Sequence, residues 1–168
     1  VYGNTAARYL SSGEASLVAM LVDLRAAKDF IFLEFFIIDE GYMWGRVLKV
    51  LEDKAAEGVE VRMLYDGTCA LFRLPYRYPE MLKKLGIQCK MFSPIRPMIS
   101  AHYNNRDHRK ILVVDGRVAY TGGVNLADEY VNKIVKFGHW KDVSLRLEGE
   151  AVRSFTLLFL QMWNVNET

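Results

Sequence analysis

The chain has 168 residues, 22 Lys and Arg against 20 Asp and Glu, 51% hydrophobic and 12% aromatic residues, four Pro and two Cys. That describes one domain able to bury about two-thirds of its unfolded surface, and it excludes disordered, collagen-like and disulfide-scaffold classes. No apolar run approaches the ~18 residues of a membrane span, and a formal charge of +2 is too small to argue for nucleic acid by itself. The chain opens on Val1 with no charged-then-apolar leader, which suggests a segment of something longer.

Taken in order, residues 14–28 put Leu17, Val18, Met20, Leu21 and Leu24 on one helical stripe. Residues 29–38 read as a buried strand rich in Phe and Ile, with Glu34 in its middle. A helix over 42–56 stops at Glu57-Gly58, and a strand over 59–65 ends at Asp66-Gly67. A short helix at 79–85 and a strand at 87–92 follow, then a long irregular connection over 93–107. Strands at 109–114 and 118–121 flank Asp115-Gly116, a strong hairpin signal. A helix around 126–132, a strand at 143–147 and a helix at 150–163 complete the chain. The expected fold is a single α/β domain over 1–168, a mixed β-sheet with helices on both faces. The final stripe of Val152, Phe155, Leu158, Phe159 and Met162 reads as core.

Residues 71–97 hold six basic residues and one acid, a local +5 against −3 elsewhere. Such a segment suits an anionic lipid surface or phosphate-rich ligand, and equally a solvated helix and loop. Phe72, Tyr76 and Tyr78 read either as an acyl-chain entrance or as a satellite cluster. Cys69 and Cys89 fit neither a CxxC pair nor a zinc pattern, and His102, His108 and His139 lack metal-ligand spacing.

The chemistry concentrates in HRKILVVD at 108–115, followed by Gly122, Gly123 and Asn125. Period-2 alternation puts His108 and Lys110 on one strand face. A two-residue turn at Asp115-Gly116 would pair Val114 with Arg117, Lys110 with Thr121 and His108 with Gly123. Asn125 then points to the same face, above a glycine that leaves room for a ligand. Asp115 has the opposite parity and sits at the turn, which gives it a structural role. Imidazole attacks phosphorus near neutral pH, while Lys and Asn stabilise the non-bridging oxygens, so the set suits a phosphate ester without a metal. Glu34 and Asp66 close or interrupt apolar strands and are weaker candidates for the cleft, with buried paired carboxylates as the other reading.

HRKILVVD with GGVN resembles the HxKxxxxDxxxxxxGxxN signature (the HKD motif) of the phospholipase D superfamily. FLEFFIID, EGVEVRMLYDG, NNRDHRKILVVDG, TGGVNLADEY, GHWKDVSLRLEG and EAVRSFTLLFLQMWN are similar to the first catalytic half of bacterial cardiolipin synthases over nearly the whole chain. The resemblance implies His108, Lys110 and Asp115 as the catalytic signature, with Gly122, Gly123 and Asn125 around the phosphate. It implies that Asp142 hydrogen-bonds and orients the imidazole. Gly123 departs from the Ser of nuclease members, so a phosphate contact there must use backbone N–H. Asp107 departs from Asn, and either raises the imidazole pKa or caps the strand. His139-Trp140-Lys141 has HxK spacing but Arg146 where Asp is required, so it is not a second motif.

The resemblance further implies two histidines acting through a phosphohistidine, joining two phosphatidylglycerols into cardiolipin with no cofactor. The implied partners are anionic phospholipid, a membrane surface and a second HKD half from the same chain or a homodimer mate, with no nucleic acid. The implied location is the cytoplasmic side of a bacterial membrane, this segment itself being soluble. Two rivals stand beside it: a single-motif homodimeric phosphodiesterase or nuclease, and a non-catalytic half that binds lipid phosphate.

Overall fold

The computed structural model describes residues 2–94 and 106–165, apart from the side chain of Phe72. Most of the 93–107 connection, with Arg96 and His102, lies outside the described residues. Seven strands form one mixed sheet in the order β1-β7-β6-β5-β2-β3-β4. They are β1 (Thr5–Leu10), β2 (Phe30–Phe35), β3 (Glu60–Asp66), β4 (Gln88–Phe92), β5 (Lys110–Val114), β6 (Val118–Gly122) and β7 (Ser144–Gly149). β2, β3 and β4 run parallel, while β5, β6, β7 and β1 join antiparallel.

The central strands are buried on both faces, which is why FIFLEF and KILVV are nearly continuous apolar runs rather than alternating ones. One face carries α1 (Gly13–Arg25) and α2 (Tyr42–Ala56). Their Leu17, Met20, Leu24, Trp44, Val47 and Leu51 pack on Leu33, Phe35, Leu112 and Tyr120. The other face carries α5 (Val152–Trp163), whose Val152, Phe159 and Trp163 meet Phe32, Leu64, Ile111 and Val113. Phe32 and Phe159 stack at 4.7 Å, and Phe159 and Trp163 at 5.7 Å. The short helices α3 (Cys69–Phe72) and α4 (Tyr78–Lys84) lie between β3 and β4.

Several expectations change. β1 and α3 are additional: β1 is an edge strand whose residues are mostly exposed, so TAARYL carries no hydrophobic pattern. The helix expected at 126–132 is one 3-10 turn, Asp128–Val131, ended by Asn132 in the left-handed region. Asp128 is diverted to cap α2, accepting from the backbone N–H of Tyr42 (2.9 Å) and Met43 (2.7 Å). Val18 is 65% exposed and Leu158 38% exposed, so neither belongs to the core. Val18 and Val22 instead line a groove of about 650 Å³ beside Arg8 and Asp23. Tyr78 is buried and accepts from Trp44 Nε1, whereas Tyr76 is exposed. The basic segment is partly spent internally, since Arg73 pairs with Asp39 and Glu129 and Lys90 lies over Trp163, while Arg77 pairs with Glu80 on the surface.

The hairpin shifts by one residue. Asp115 (φ 52°) and Gly116 (φ 61°) occupy the turn as expected, closed by Arg117 N–H to the Val114 carbonyl. Arg117 then stays outside the ladder, so Val114 faces Val118 and Ile111 faces Thr121. Asp115 has the structural role its parity gave it. Its carboxylate accepts the backbone N–H of Lys28, Asp29 and Phe30 at 2.8–3.0 Å, pinning the entry to β2. Burial pushes this carboxyl upward, but the three N–H groups hold it below its usual value. Replacing Asp115 by Ala is expected to cost about 2–3 kcal/mol in urea unfolding, and Val18→Ala less than about 0.5 kcal/mol.

Candidate active site

The strand registers bring the carboxyl ends of β2, β3, β4 and β6 to one end of the sheet, with the amino ends of β5 and β7. His108 and Lys110 stand there. His108 is exposed and Lys110 is 5% exposed. Lys110 Nζ lies 3.2 Å from His108 Nδ1 and donates to the His108 carbonyl at 2.5 Å. An ammonium only donates, so in this arrangement Nδ1 accepts and the ring proton sits on Nε2. The Phe36 ring packs 4.6 Å from the imidazole and 5.2 Å from Nζ, a neighbour that the sequence does not single out. Burial draws Lys110 below its usual pKa, and the charges of Asp142 and Asp107 partly oppose this.

Asn125 is 2% exposed and committed inside the fold. Its Oδ1 accepts from Ile37 N–H (2.9 Å) and its Nδ2 donates to Tyr130 Oη (2.8 Å). It therefore fixes the chain leaving β2 just behind Phe36. The two glycines also serve packing. A Cβ on Gly122 would lie 2.4 Å from the Val143 carbonyl oxygen, and one on Gly123 would lie 1.9 Å from Asp142 Oδ1. The space at Gly123 is thus filled by a carboxylate, and its N–H is spent on the Val143 carbonyl at 3.0 Å. Neither the ligand space nor the backbone donor expected at Gly123 is present. Both partners belong to the segment entering β7, which docks against the end of β6.

Asp142 does not hydrogen-bond to His108. Its Oδ1 accepts from Val143 N–H at 2.8 Å, and its charge acts on Lys110 instead. Glu34 and Asp66 do not join His108 and Lys110 either. Lys110 faces Phe35, while Glu34 faces Ile111, which puts Glu34 on the α5 side of the sheet. Asp66 has the same parity as Leu64 and shares that side.

Both acids nevertheless hold the site from behind. Asp66 Oδ2 accepts from Asp107 N–H (3.1 Å) and Oδ1 from Arg106 Nη1 (3.4 Å). Asp107 Oδ1 accepts from Arg109 N–H (3.2 Å) and Nε (3.0 Å), so this acid braces the start of the strand, not the imidazole. Arg109 Nε also lies 2.7 Å from Glu34 Oε1, but its single Nε–H is directed at Asp107. The fully buried Glu34 carboxyl is left with no hydrogen bond as a carboxylate. A proton on it, shared with Asp107, removes that conflict. Burial, then the Asp107 carboxyl, push Glu34 up to about 9. Among the described residues no group of three His, Cys, Asp or Glu could hold a metal ion.

The family model described as "Cardiolipin synthase, PLD-like domain" matches residues 20–163. A Streptococcus mutans protein described as uncharacterized is 56% identical over 164 residues, 98% of this chain and 36% of that protein. The cardiolipin synthase of Geobacillus thermodenitrificans is 41% identical over 155 residues, 92% of this chain and 31% of the enzyme. The chain therefore spans about a third of the length of these relatives. Among solved structures, the phospholipase D family member Nuc from Salmonella typhimurium superimposes with a TM-score of 0.73 at 17% identity, over 96% of this chain and 95% of Nuc. NucT from Helicobacter pylori gives 0.72 at 11%, over 96% and 97%. At such identities the likeness is one of fold.

Glu34 titrates between an ordinary carboxyl value unfolded and about 9 folded. A raised folded pKa means stability fully present below the unfolded value and lost as pH rises through the folded one. Stability measured by thermal unfolding is therefore expected to fall from pH 5 to pH 9, by at most about 1.4 kcal/mol per pH unit for one proton. Glu34→Gln, which keeps the neutral shape, is expected to flatten that slope. An unchanged slope in the variant would contradict a protonated Glu34.

Proposed function

The chain belongs to the family of cardiolipin synthase PLD-like domains, and from that membership we propose that it is one catalytic lobe of a phosphatidyltransferase. The carrying observation is the His108–Lys110 pair at 3.2 Å, with His108 exposed just before β5, Lys110 buried, and the flanking Asp107 (buried) and Arg109 (half-buried) held by hydrogen bonds. Relatives about 40% identical that bear the name cardiolipin synthase support phosphatidylglycerol as substrate.

The chemistry is two in-line displacements. In the first, a histidine nitrogen forms a bond to the phosphorus of one phosphatidylglycerol as its P–O bond to the terminal glycerol breaks. A second histidine gives that glycerol a proton. In the second, the hydroxyl of another phosphatidylglycerol loses its proton to that second histidine and attacks phosphorus, and the P–N bond breaks. His108 supplies one of these two groups, and the other comes from a second HKD lobe. Lys110 has three N–H bonds, two directed at His108, so one can meet a phosphate oxygen. As the phosphate draws the ammonium across, Nδ1 is released and the imidazole can take the tautomer with a bare Nε2. Gly122, Gly123, Asn125 and Asp142 shape this end of the sheet, with Asp142 setting the charge around Lys110.

A second reading has one observation behind it: Nuc and NucT are matched over nearly their whole chains, so a lobe of this size is a complete chain there. In that reading two copies of this chain pair as a phosphodiesterase. Sedimentation equilibrium separates the two. The two-lobe enzyme predicts a monomeric 168-residue chain, and a stable dimer supports the alternative.

His108→Ala in the protein carrying both lobes is expected to lower cardiolipin formation by about 10³-fold or more, and Lys110→Ala by roughly 10²-fold. Cardiolipin counted by lipid mass spectrometry is the readout. Wild-type yield from His108→Ala would refute the assignment.

A further inference from the structure

Between Asn125 and β7 the chain makes a closed loop over 132–141, NKIVKFGHWK, with three lysines and no acid. Its base is rigidly pinned. Asn132 Oδ1 accepts from Trp140 N–H (2.7 Å), and Asn132 Nδ2 donates to the Trp140 carbonyl (3.0 Å) and to Glu14 (2.8 Å). Trp140 packs on Tyr130 at 5.0 Å, and Tyr130 receives the Asn125 amide. The base thus rests on the same residues that hold the His108 end of the sheet.

The tip is the reverse of a solvated loop. Val135 is 81% exposed, Phe137 79% and Ile134 48%. An isolated exposed apolar residue needs no explanation, but three within four positions do. They are bordered by cations. Lys133 stands 4.6 Å over the Tyr42 ring, which Arg46 flanks at 5.5 Å, and Lys136 reaches Glu129 at 3.5 Å. Tyr42 itself is 43% exposed. An apolar tip within a basic, aromatic collar matches the depth profile of an anionic bilayer, with hydrocarbon inside and phosphates at the rim.

We infer that the 132–141 loop inserts its Ile134–Val135–Phe137 tip into an anionic phospholipid bilayer and so seats the His108 end of the sheet at the lipid headgroups. This rests on the reading that the site acts on membrane phospholipid, and it assigns the surface by which that lipid is approached. The segment 71–97, whose charge first suggested this part, has Arg73 and Lys90 engaged within the fold and Arg77 paired with Glu80 on the surface.

The test is flotation of the 168-residue chain with vesicles of phosphatidylcholine alone or with phosphatidylglycerol added. Tryptophan emission is read in parallel; Trp44 and Trp163 are buried, so a shift on adding vesicles reports Trp140. Wild type is expected to bind the anionic vesicles with a blue shift. Val135→Ser/Phe137→Ser is expected to bind more than about tenfold more weakly, and Lys133→Gln/Lys136→Gln to lose about fivefold per lysine on anionic vesicles only. These positions are exposed, and thermal unfolding checks that each variant is folded. Wild-type vesicle binding by the Val135/Phe137 variant overturns the inference, whether or not phosphatidyl transfer is found. A change in self-association by that variant, in place of weaker vesicle binding, overturns it equally. Tip-dependent binding without any transfer by the two-lobe protein upholds the membrane loop and refutes the catalytic reading.

Discussion

The segment that enters β5 sets one requirement on the whole site: His108 must be exposed while the residues on either side of it are tied down behind the sheet, Asp107 buried and Arg109 half-buried. Strand alternation meets it by sending Asp107 and Arg109 through to the α5 side and leaving His108 and Lys110 on the other. Behind the sheet, Asp66 receives the Asp107 N–H, Asp107 receives Arg109, and Glu34 lies against both. Burying two carboxyls side by side is unfavourable if both are charged. A proton on Glu34 removes one charge and supplies the missing donor. The backbone on which the imidazole stands is therefore held by groups on the opposite side of the sheet from Lys110, the kind of support that positioning of a reacting group requires.

Much of the fold was legible in the sequence because its cause is local. Buried runs bounded by Gly and Asp give β2, β3 and β5, and the helical stripe of α2 ends where Gly58 allows a left-handed residue. What was illegible depends on partners remote in sequence. β1 has no pattern of its own and exists through β7. Asp128 looks like a helix residue until Tyr42 and Met43 bring unpaired N–H groups to it. The hairpin shows how small such a difference can be: Asp115 and Gly116 turn as expected, and one further unpaired residue, Arg117, moves every opposite neighbour of β5 by one.

The same register decides the site. His108 stands two residues before Lys110, the first residue of β5, and the 3.2 Å contact between them shows that the alternation read from sequence carries past the end of the strand. The roles of Gly123, Asn125 and Asp142 depended on how β6 and β7 dock, and there the reading changed. Gly123 makes room for Asp142, Asn125 braces the exit of β2, and Asp142 acts on the lysine. Glu34 gave a signal in sequence, an acid within FIFLEF; the fold buries it, but with a proton on the carboxyl in place of the paired carboxylate that reading supposed. Phe36 gave none, since a second Phe beside Phe35 reads as more core. Beyond the site, the 132–141 loop rises from the same end of the sheet, between β6 and β7, so the surface proposed to meet lipid lies at the end that carries His108.

The central claim is that His108 is one of two histidines passing a phosphatidyl group through a covalent enzyme intermediate. Isotope exchange tests it most directly: the protein with both lobes is held with phosphatidylglycerol and labelled glycerol, and label entering phosphatidylglycerol is measured. A covalent intermediate releases and recaptures glycerol, so label is predicted to enter, and His108→Ala is predicted to abolish the exchange whichever of the two roles His108 plays. Cardiolipin formation without exchange, or exchange that survives His108→Ala, would contradict the account.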